Sequence, residues 1–363
     1  MATYPLKVCE KRMECNDTAS LWLDVPQDLA GAFTYRPGQF LTVENDDGGD
    51  LISRQYSLSS SPGAHPRLRI TVKKIEGGRM STWLVDQAGE GDYLEVQTPR
   101  GRFFKDLDAP HHVLMLAAGS GIAPILSIGR WLLESNQGHT VTFVYGNRTP
   151  DTVILADEMA EIAERHAGIC RIEHVMSRAG EDWTGAHGRI DRAYIEAHFA
   201  SWQAASELPM VAYMCGPEGF MDSAEGALMS AGLSASAIHR ESFDMVLEDD
   251  ETEPGLEVVA EDDPGEDGPP ATIVAVVGGE EYEADWQEGE NILAALLRMD
   301  ADVPFSCQEG TCSSCISKLT AGRIEVRPGV LQTLREDDLA EGLTLACLSR
   351  PLTRTIRIDF DEI

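Results

Sequence analysis

Cys307-Gln-Glu-Gly-Thr-Cys312-Ser-Ser-Cys315, followed after 31 intervening residues by Cys347 in Leu345-Ala-Cys347-Leu, is the stretch from which the rest of the chain can be read. The spacing C-x4-C-x2-C…C is the ligand set of a plant-type [2Fe–2S] cluster. Two irons bridged by two sulfides take four thiolates, two on each iron. A short loop wraps three of them around the cluster, and a distant strand end supplies the fourth. Gly310 lies inside the loop, where a positive φ turns backbone N–H groups towards sulfur. Zinc prefers two C-x2-C-like pairs, and only one is present here. Metal ligands are therefore expected at Cys307, Cys312, Cys315 and Cys347. A cluster of this kind does one-electron chemistry, so the chain is expected to move electrons.

The remaining cysteines, Cys9, Cys15, Cys170 and Cys215, are scattered without framework spacing. With no signal peptide and no apolar run long enough to span a membrane, a reduced, cytoplasmic setting is expected. Net charge is −32 over 363 residues and is unevenly spread. Residues 244–363 hold 29 acidic and 8 basic side chains, net −21, against 32 and 21, net −11, in residues 1–243. That balance argues against nucleic-acid or anionic-membrane binding and favours a partner with a basic docking face.

Working back from the cysteine loop, residues 271–363 read as a compact module. Strands are expected at 272–277 and 281–285, a helix at 291–299, and closing strands near 343–346 and 355–360. Residues 244–270 are rich in Glu, Asp, Pro and Gly and contain no Lys or Arg. This composition predicts a charged, extended linker of about 27 residues, reaching roughly 30 Å on random-coil scaling. Residues 109–243 alternate apolar strands (112–117, 140–145, 172–175, 211–214) with helical segments, the pattern of an α/β domain with a parallel sheet. Residues 1–108 alternate apolar and polar positions in short runs such as Leu68-Arg-Ile-Thr-Val-Lys73. Turn residues at 45–50 and 60–63 separate such runs, as in a small antiparallel β-barrel.

Six motifs extend the reading. The first domain carries Tyr35-Arg-Pro37-Gly38-Gln39-Phe40, Arg54-Gln-Tyr56-Ser57-Leu58-Ser59 and Gly77-Gly78-Arg-Met-Ser81-Thr82. The second carries Ala117-Ala-Gly119-Ser120-Gly121-Ile122-Ala123-Pro124 directly after its first strand, then Tyr145-Gly146-Asn147-Arg148-Thr149 and Met214-Cys215-Gly216-Pro217-Glu218-Gly219-Phe220-Met221. Glycines between a strand and a helix let backbone approach a pyrophosphate at a helix N-terminus.

In this order the motifs resemble the ferredoxin–NADP+ reductase superfamily, here joined to a C-terminal plant-type ferredoxin of β-grasp fold. The resemblance implies FAD contacts from Arg54, Gln55, Tyr56 and Ser57, from Val72 and Lys73, and from Gly78, Met80, Ser81 and Thr82. Arg54 pairs with the FAD pyrophosphate, Tyr56 stacks on the isoalloxazine, and Ser57 lies near N5. It implies an NAD(P) site of Gly119, Ser120, Gly121, Ile122, Pro124, Asn147, Arg148, Ser177, Arg178, Cys215, Gly216, Pro217, Phe220 and Met221. Catalytic candidates are Ser57, Cys215 and Glu241. Phe243, two residues after Glu241, is the candidate flavin-shielding aromatic, although the chain continues beyond it.

Arginine and hydroxyl groups suit the extra phosphate of NADPH, and Ser177-Arg178 with Arg148 supply them, so NADPH is expected over NADH. Flavin domain, nucleotide domain, then ferredoxin is the order of oxygenase reductase components, such as the phenylacetyl-CoA epoxidase and 3-ketosteroid hydroxylase reductases. The resemblance implies electron flow from NAD(P)H through FAD and the cluster to a terminal oxygenase of Rieske or di-iron type. A hybrid-cluster protein or a soluble electron carrier is the alternative acceptor.

Overall fold

The computed structural model describes residues 3–47, 50–241, 255–260, 262, 271–287, 289–299, 301, 303–305, 310, 313–327, 330 and 333–363. Two compact units divide the chain, one over residues 3–243 and one over 244–363.

The first unit begins with six antiparallel strands and a short helix: β1 (Tyr4–Cys15), β2 (Thr18–Asp24), β3 (Phe40–Asp47), β4 (Asp50–Ser57), β5 (Leu68–Lys73), α1 (Arg79–Asp86) and β6 (Tyr93–Val96). The sheet order is β4-β3-β6-β1-β2-β5, and a bridge between Leu58 and Ile70 joins its two edges, closing the barrel. Alternation drives this: Leu6, Val8, Leu21, Leu23, Leu41, Val43, Ile70, Leu94 and Val96 are fully buried on the inward face. Each such side chain contributes about 1.5–3 kcal/mol. The stretch expected to be turn at 45–50 is partly strand. Pairing runs on through Asn45–Ile52, Asp46–Leu51 and Asp47–Asp50, because ladder pairing depends on backbone groups that every residue carries.

The same unit continues with β7 (His112–Ala118), α2 (Ile122–Glu134), β8 (Thr140–Asn147), α3 (Ala156–Arg165), β9 (Cys170–Met176), β10 (Ala186–His187), α4 (Arg192–Gln203), β11 (Met210–Cys215), α5 (Glu218–Ser230) and β12 (Ile238–Glu241). All neighbours are parallel, in the order β10-β9-β8-β7-β11-β12. The first strand therefore sits centrally, and chain direction across the sheet reverses between β7 and β11. Pro124 is tolerated because it falls in the first turn of α2, where an N–H has no intrahelical partner. Gly129 lets α2 settle on the sheet: a Cβ there would lie 2.3 Å from Phe143 Cζ.

The second unit contains β13 (Leu256–Val259), β14 (Thr272–Val277), β15 (Glu280–Asp285), α6 (Ile292–Arg298), β16 (Ile316–Ala321), β17 (Arg323–Val326), α7 (Glu336–Ala340), β18 (Leu343–Leu345), β19 (Ser349–Pro351) and β20 (Thr355–Asp359). A mixed sheet, β15-β14-β20-β16-β18, is accompanied by a small sheet, β13-β17-β19. Gly278 and Gly279 both take positive φ, 60° and 79°, as a two-residue type I′ hairpin between β14 and β15 requires. Asn291 caps α6, its side chain accepting from Ala294 N at 2.8 Å.

One expectation is overturned here. Within the stretch 244–270, assigned as linker, residues 256–259 form β13, paired antiparallel with β17, and Val258 and Ala260 are buried in the core of the module. Acidic composition hid a short apolar alternation, and Arg323 meets the one strand carboxylate, Glu257, at 3.1 Å. Residues 244–254, 261 and 263–270 lie outside the described residues. Among the described residues no helix is long and apolar enough to cross a membrane.

Candidate functional site

The flavin-side motif occupies the end of β4. Arg54, Gln55, Tyr56 and Ser57 pair with Val43, Thr42, Leu41 and Phe40 of β3. The period of two places Arg54 and Tyr56 on one face and Gln55 and Ser57 on the other. Arg54 is exposed, its Nη1 donating to the Ser53 carbonyl at 2.7 Å, and burial pushes the Tyr56 phenol upward in pKa. Gln55 Nε2 is a buried donor with no partner among the described residues. A donor of that kind is normally paired in a native protein, so it fits a bound acceptor such as a flavin.

Gly77, with φ 75°, and Gly78 lead into α1, whose N-terminus has no side-chain cap. A Cβ on Gly78 would meet Ser81 Oγ at 2.6 Å. Ser81 Oγ in turn accepts from Ile75 N at 3.1 Å and closes the turn. The N-terminal end of α1, with its helix dipole, is a geometry that suits a phosphate group. Thr82 donates its N–H to the Gly78 carbonyl at 3.2 Å. Met80 and Val72 are buried in the barrel core, so Val72 can offer a cofactor only its main chain. Lys73 lies 3.7 Å from Asp17. Lys11, which no sequence signal marks, donates to the carbonyls of Val85 at 2.7 Å and Ala88 at 2.5 Å, so a cation sits at the C-terminal end of α1.

On the nucleotide side, Gly119, Ser120 and Gly121 form a turn between β7 and α2, at the point where strand order reverses. A Cβ on Gly121 would lie 2.1 Å from the Cys215 carbonyl oxygen and 2.8 Å from Gly216 N. Only glycine lets the two turns approach, and the crevice outside them is where open α/β sheets bind ligands. Ile122 and Pro124 are buried in the start of α2. Gly216 is tight but less crowded, a Cβ there falling 3.0 Å from Ala118 Cβ and 3.0 Å from Phe220 Cδ1. Pro217 is the exposed N-cap of α5, and Met221 is fully buried beneath it. Tyr145, a motif residue to which the sequence assigns no role, donates its hydroxyl to the Gly119 carbonyl at 2.9 Å.

Two loops meet at the ends of β8 and β9. Asn147 O accepts from Ser177 N at 2.9 Å, and Arg148 O accepts from Arg178 N at 2.7 Å. Arg148 and Arg178 are exposed, and neither forms an ion pair among the described residues.

The three catalytic candidates converge. Cys215 and Glu241 are register partners on β11 and β12, and Ser57 Oγ donates to Glu241 Oε2 at 3.5 Å. Burial pushes the Glu241 carboxyl up to about 8, against a modest lowering by Ser57. A proton-holding carboxyl thus stands beside a hydroxyl at the junction of barrel and nucleotide domain. Phe243 lies outside the described residues.

In the second unit, Cys315 and Cys347 are both buried. The Ile316–Leu345 register pair brings their segments together, and Ala346 N donates to the Cys315 carbonyl at 3.0 Å. Gly310 has φ 82°, as the loop demanded, and a Cβ there would meet Leu348 Cδ1 at 2.2 Å. Ser313 also takes positive φ, 54°. Cys307 and Cys312 lie outside the described residues. Two buried thiols on paired segments, with positive φ at Gly310 and Ser313, fit a thiolate-bound cluster.

An antiparallel flavin-type barrel, a parallel sheet with a crevice at its switch point and a cysteine-bearing module together are the architecture of a flavin-linked iron–sulfur reductase. The chain matches the families described as oxidoreductase FAD-binding domain over residues 5–104, oxidoreductase NAD-binding domain over 115–226 and 2Fe-2S iron-sulfur cluster binding domain over 275–352. It is 36% identical to the 3-ketosteroid-9-alpha-monooxygenase ferredoxin reductase component of Mycolicibacterium smegmatis, covering 98% of this chain and 97% of that protein. It is 32% identical to one of the proteins of the 1,2-phenylacetyl-CoA epoxidase of Escherichia coli, covering 99% and 98%. The solved structure of phthalate dioxygenase reductase shares the fold, with a TM-score of 0.57 at 24% identity over 99% of this chain and 98% of that one. The chain belongs to the family of oxygenase reductase components, NAD(P)H oxidoreductases with FAD, NAD and [2Fe–2S] domains.

Proposed function

We propose that this chain draws a hydride from NADPH and delivers single electrons to the terminal oxygenase of a multicomponent system. FAD, when bound, supplies the conversion from a two-electron donor to a one-electron centre. Arg54 and the N-terminus of α1 bind the flavin pyrophosphate, Tyr56 packs on the ring, and Ser57 and Glu241 stand at its reactive edge. The Gly119–Gly121 turn binds the nucleotide pyrophosphate, and Cys215 packs where the nicotinamide enters. Cys307, Cys312, Cys315 and Cys347 hold the cluster.

The observation that carries this reading is the convergence of Ser57, Cys215 and Glu241 beside the Gly121 crevice, although Ser57 and Glu241 stand 184 residues apart. The bonds lacing Asn147–Arg148 to Ser177–Arg178 gather two arginines at the ends of β8 and β9, which supports NADPH as the donor. The net charge of −21 over residues 244–363 supports an oxygenase, of Rieske or di-iron type, with a basic docking face.

Anaerobic addition of NADPH, then separately NADH, to the purified protein tests the relay. Bleaching of both flavin and iron–sulfur bands is expected, faster with NADPH; no bleaching by either nucleotide refutes it. Arg178→Ala is expected to weaken NADPH about tenfold while leaving NADH within about twofold. Equal effects on both remove Arg178 from the phosphate site.

A further inference from the structure

A buried chain of polar groups ties the end of the flavin-facing strand to the nucleotide domain. In the barrel, Ser20 Oγ lies 2.9 Å from Thr71 Oγ1, which lies 2.7 Å from Ser59 Oγ. Arg69 Nε donates to Ser59 Oγ at 2.8 Å and its Nη2 to the Ser59 carbonyl at 2.6 Å. Its Nη1 donates across to Glu158 Oε2 on α3 at 2.5 Å. Glu158 Oε1 accepts from Arg130 Nη1 on α2 at 2.7 Å, and Arg130 continues to Glu134 at 2.9 Å and Glu161 at 3.2 Å. The side chains of Arg69, Arg130 and Glu158 are only 5%, 6% and 12% exposed. Alongside, Ser127 Oγ of α2 donates to the Ser60 carbonyl at 2.6 Å. Ser59 and Ser60 follow Ser57 by two and three residues, so the chain grips the strand that carries the flavin motif.

Stability alone is a poor reason for such a set. Buried ion pairs are weak stabilisers, and apolar side chains of similar volume hold two surfaces together as well. What two guanidinium groups converging on one carboxylate add is direction, because each bond has a narrow geometry. Burial opposes the charge on Glu158, but Arg69, His65 and Arg130 outweigh it and hold the carboxyl below its usual range.

We propose that Glu158 is a positioning residue for hydride transfer: by bridging Arg69 of the barrel to Arg130 of the nucleotide domain it sets the separation between the Ser57 strand end and the Gly121–Cys215 crevice. This rests on the reading that hydride crosses between those two places. Rate depends steeply on that separation, a displacement of about 1 Å costing on the order of a hundredfold.

The test compares full-length holoprotein, wild type and Glu158→Asp, by anaerobic stopped-flow bleaching of the flavin with NADPH and with nucleotide deuterated at the transferred position. The shorter side chain keeps the charge but cannot span both arginines unchanged. FAD content is expected to hold and nucleotide affinity to stay within about threefold, while hydride transfer at saturating nucleotide slows about tenfold and the isotope effect on turnover rises. Mere loosening of the fold lowers the melting temperature without moving the isotope effect. A variant that keeps FAD with unchanged rate and isotope effect overturns the proposal and leaves the function intact. A wild-type protein that neither nucleotide bleaches overturns the function itself. If Glu158→Asp loses FAD, Arg130→Lys decides the matter on the same readouts, with the same expected slowing and the same overturning result.

Discussion

The two units build their sites in opposite ways. In residues 244–363 the expected ligand set is written locally: three cysteines fall within nine residues, and the pairing of β16 with β18 brings the segment that carries Cys347 to the segment that carries Cys315. In residues 3–243 nothing local suffices. Ser57 ends a barrel strand, Cys215 and Glu241 end two strands of a parallel sheet, and only the joining of both domains brings them together. The difference teaches that a metal site can be concentrated in one loop because its geometry comes from the metal. A hydride site must instead hold two flat rings face to face, and needs rigid elements from two folds.

Experiments can break or sharpen this contrast, beginning with the largest effect. Cys315→Ser is expected to abolish the iron–sulfur absorption and cytochrome c reduction, while the flavin unit still binds FAD and reduces ferricyanide. Loss of FAD as well would show that the units are not self-contained. Gly121→Ala is expected to cut NADPH-dependent ferricyanide reduction about a hundredfold in kcat/KM with FAD retained, because the new methyl must displace the Cys215 carbonyl, 2.1 Å away. Steady-state kinetics check it, and a drop below threefold dissolves the close approach.

A third test uses pH. Burial pushes the Glu241 carboxyl up to about 8 in the folded chain, well above its ordinary 4.5. Below the ordinary value both states carry the proton and stability is complete. As pH rises towards 8 the unfolded chain gives up its proton first, so stability falls across that window. Thermal melts of wild type should decline there, and Glu241→Gln should flatten the slope; parallel slopes refute the elevated carboxyl. The smallest effect belongs to Val258→Ala, expected to cost about 2 kcal/mol in the unfolding of the C-terminal unit from lost buried methyls. Denaturant melts check it, and a neutral result returns residues 256–259 to the linker.

Legibility followed the same divide. The domain order and most strands were visible because binary pattern and period are local properties, as in Leu68–Lys73 and Thr272–Val277. β13 was missed because four residues of alternation are lost in twelve acidic side chains over residues 244–270. Tyr145 was visible only as part of a motif; its hydroxyl bond to Gly119 depends on β8 lying next to β7. Lys11 and Glu158 gave no signal, since a lysine in a strand and a glutamate in an acidic helix are ordinary.

By itself the sequence determined the presence of a 2Fe-2S domain, the three domain classes and the asymmetry of charge, all set by spacing and composition along the chain. The tertiary structure alone decided that Ser57 meets Glu241, that burial pushes that carboxyl upward in pKa, that Gly121 touches Cys215, and that Glu158 joins two arginines from different domains. Each of these is a contact between residues far apart in sequence, fixed by strand order and burial, which exist only once the chain has folded.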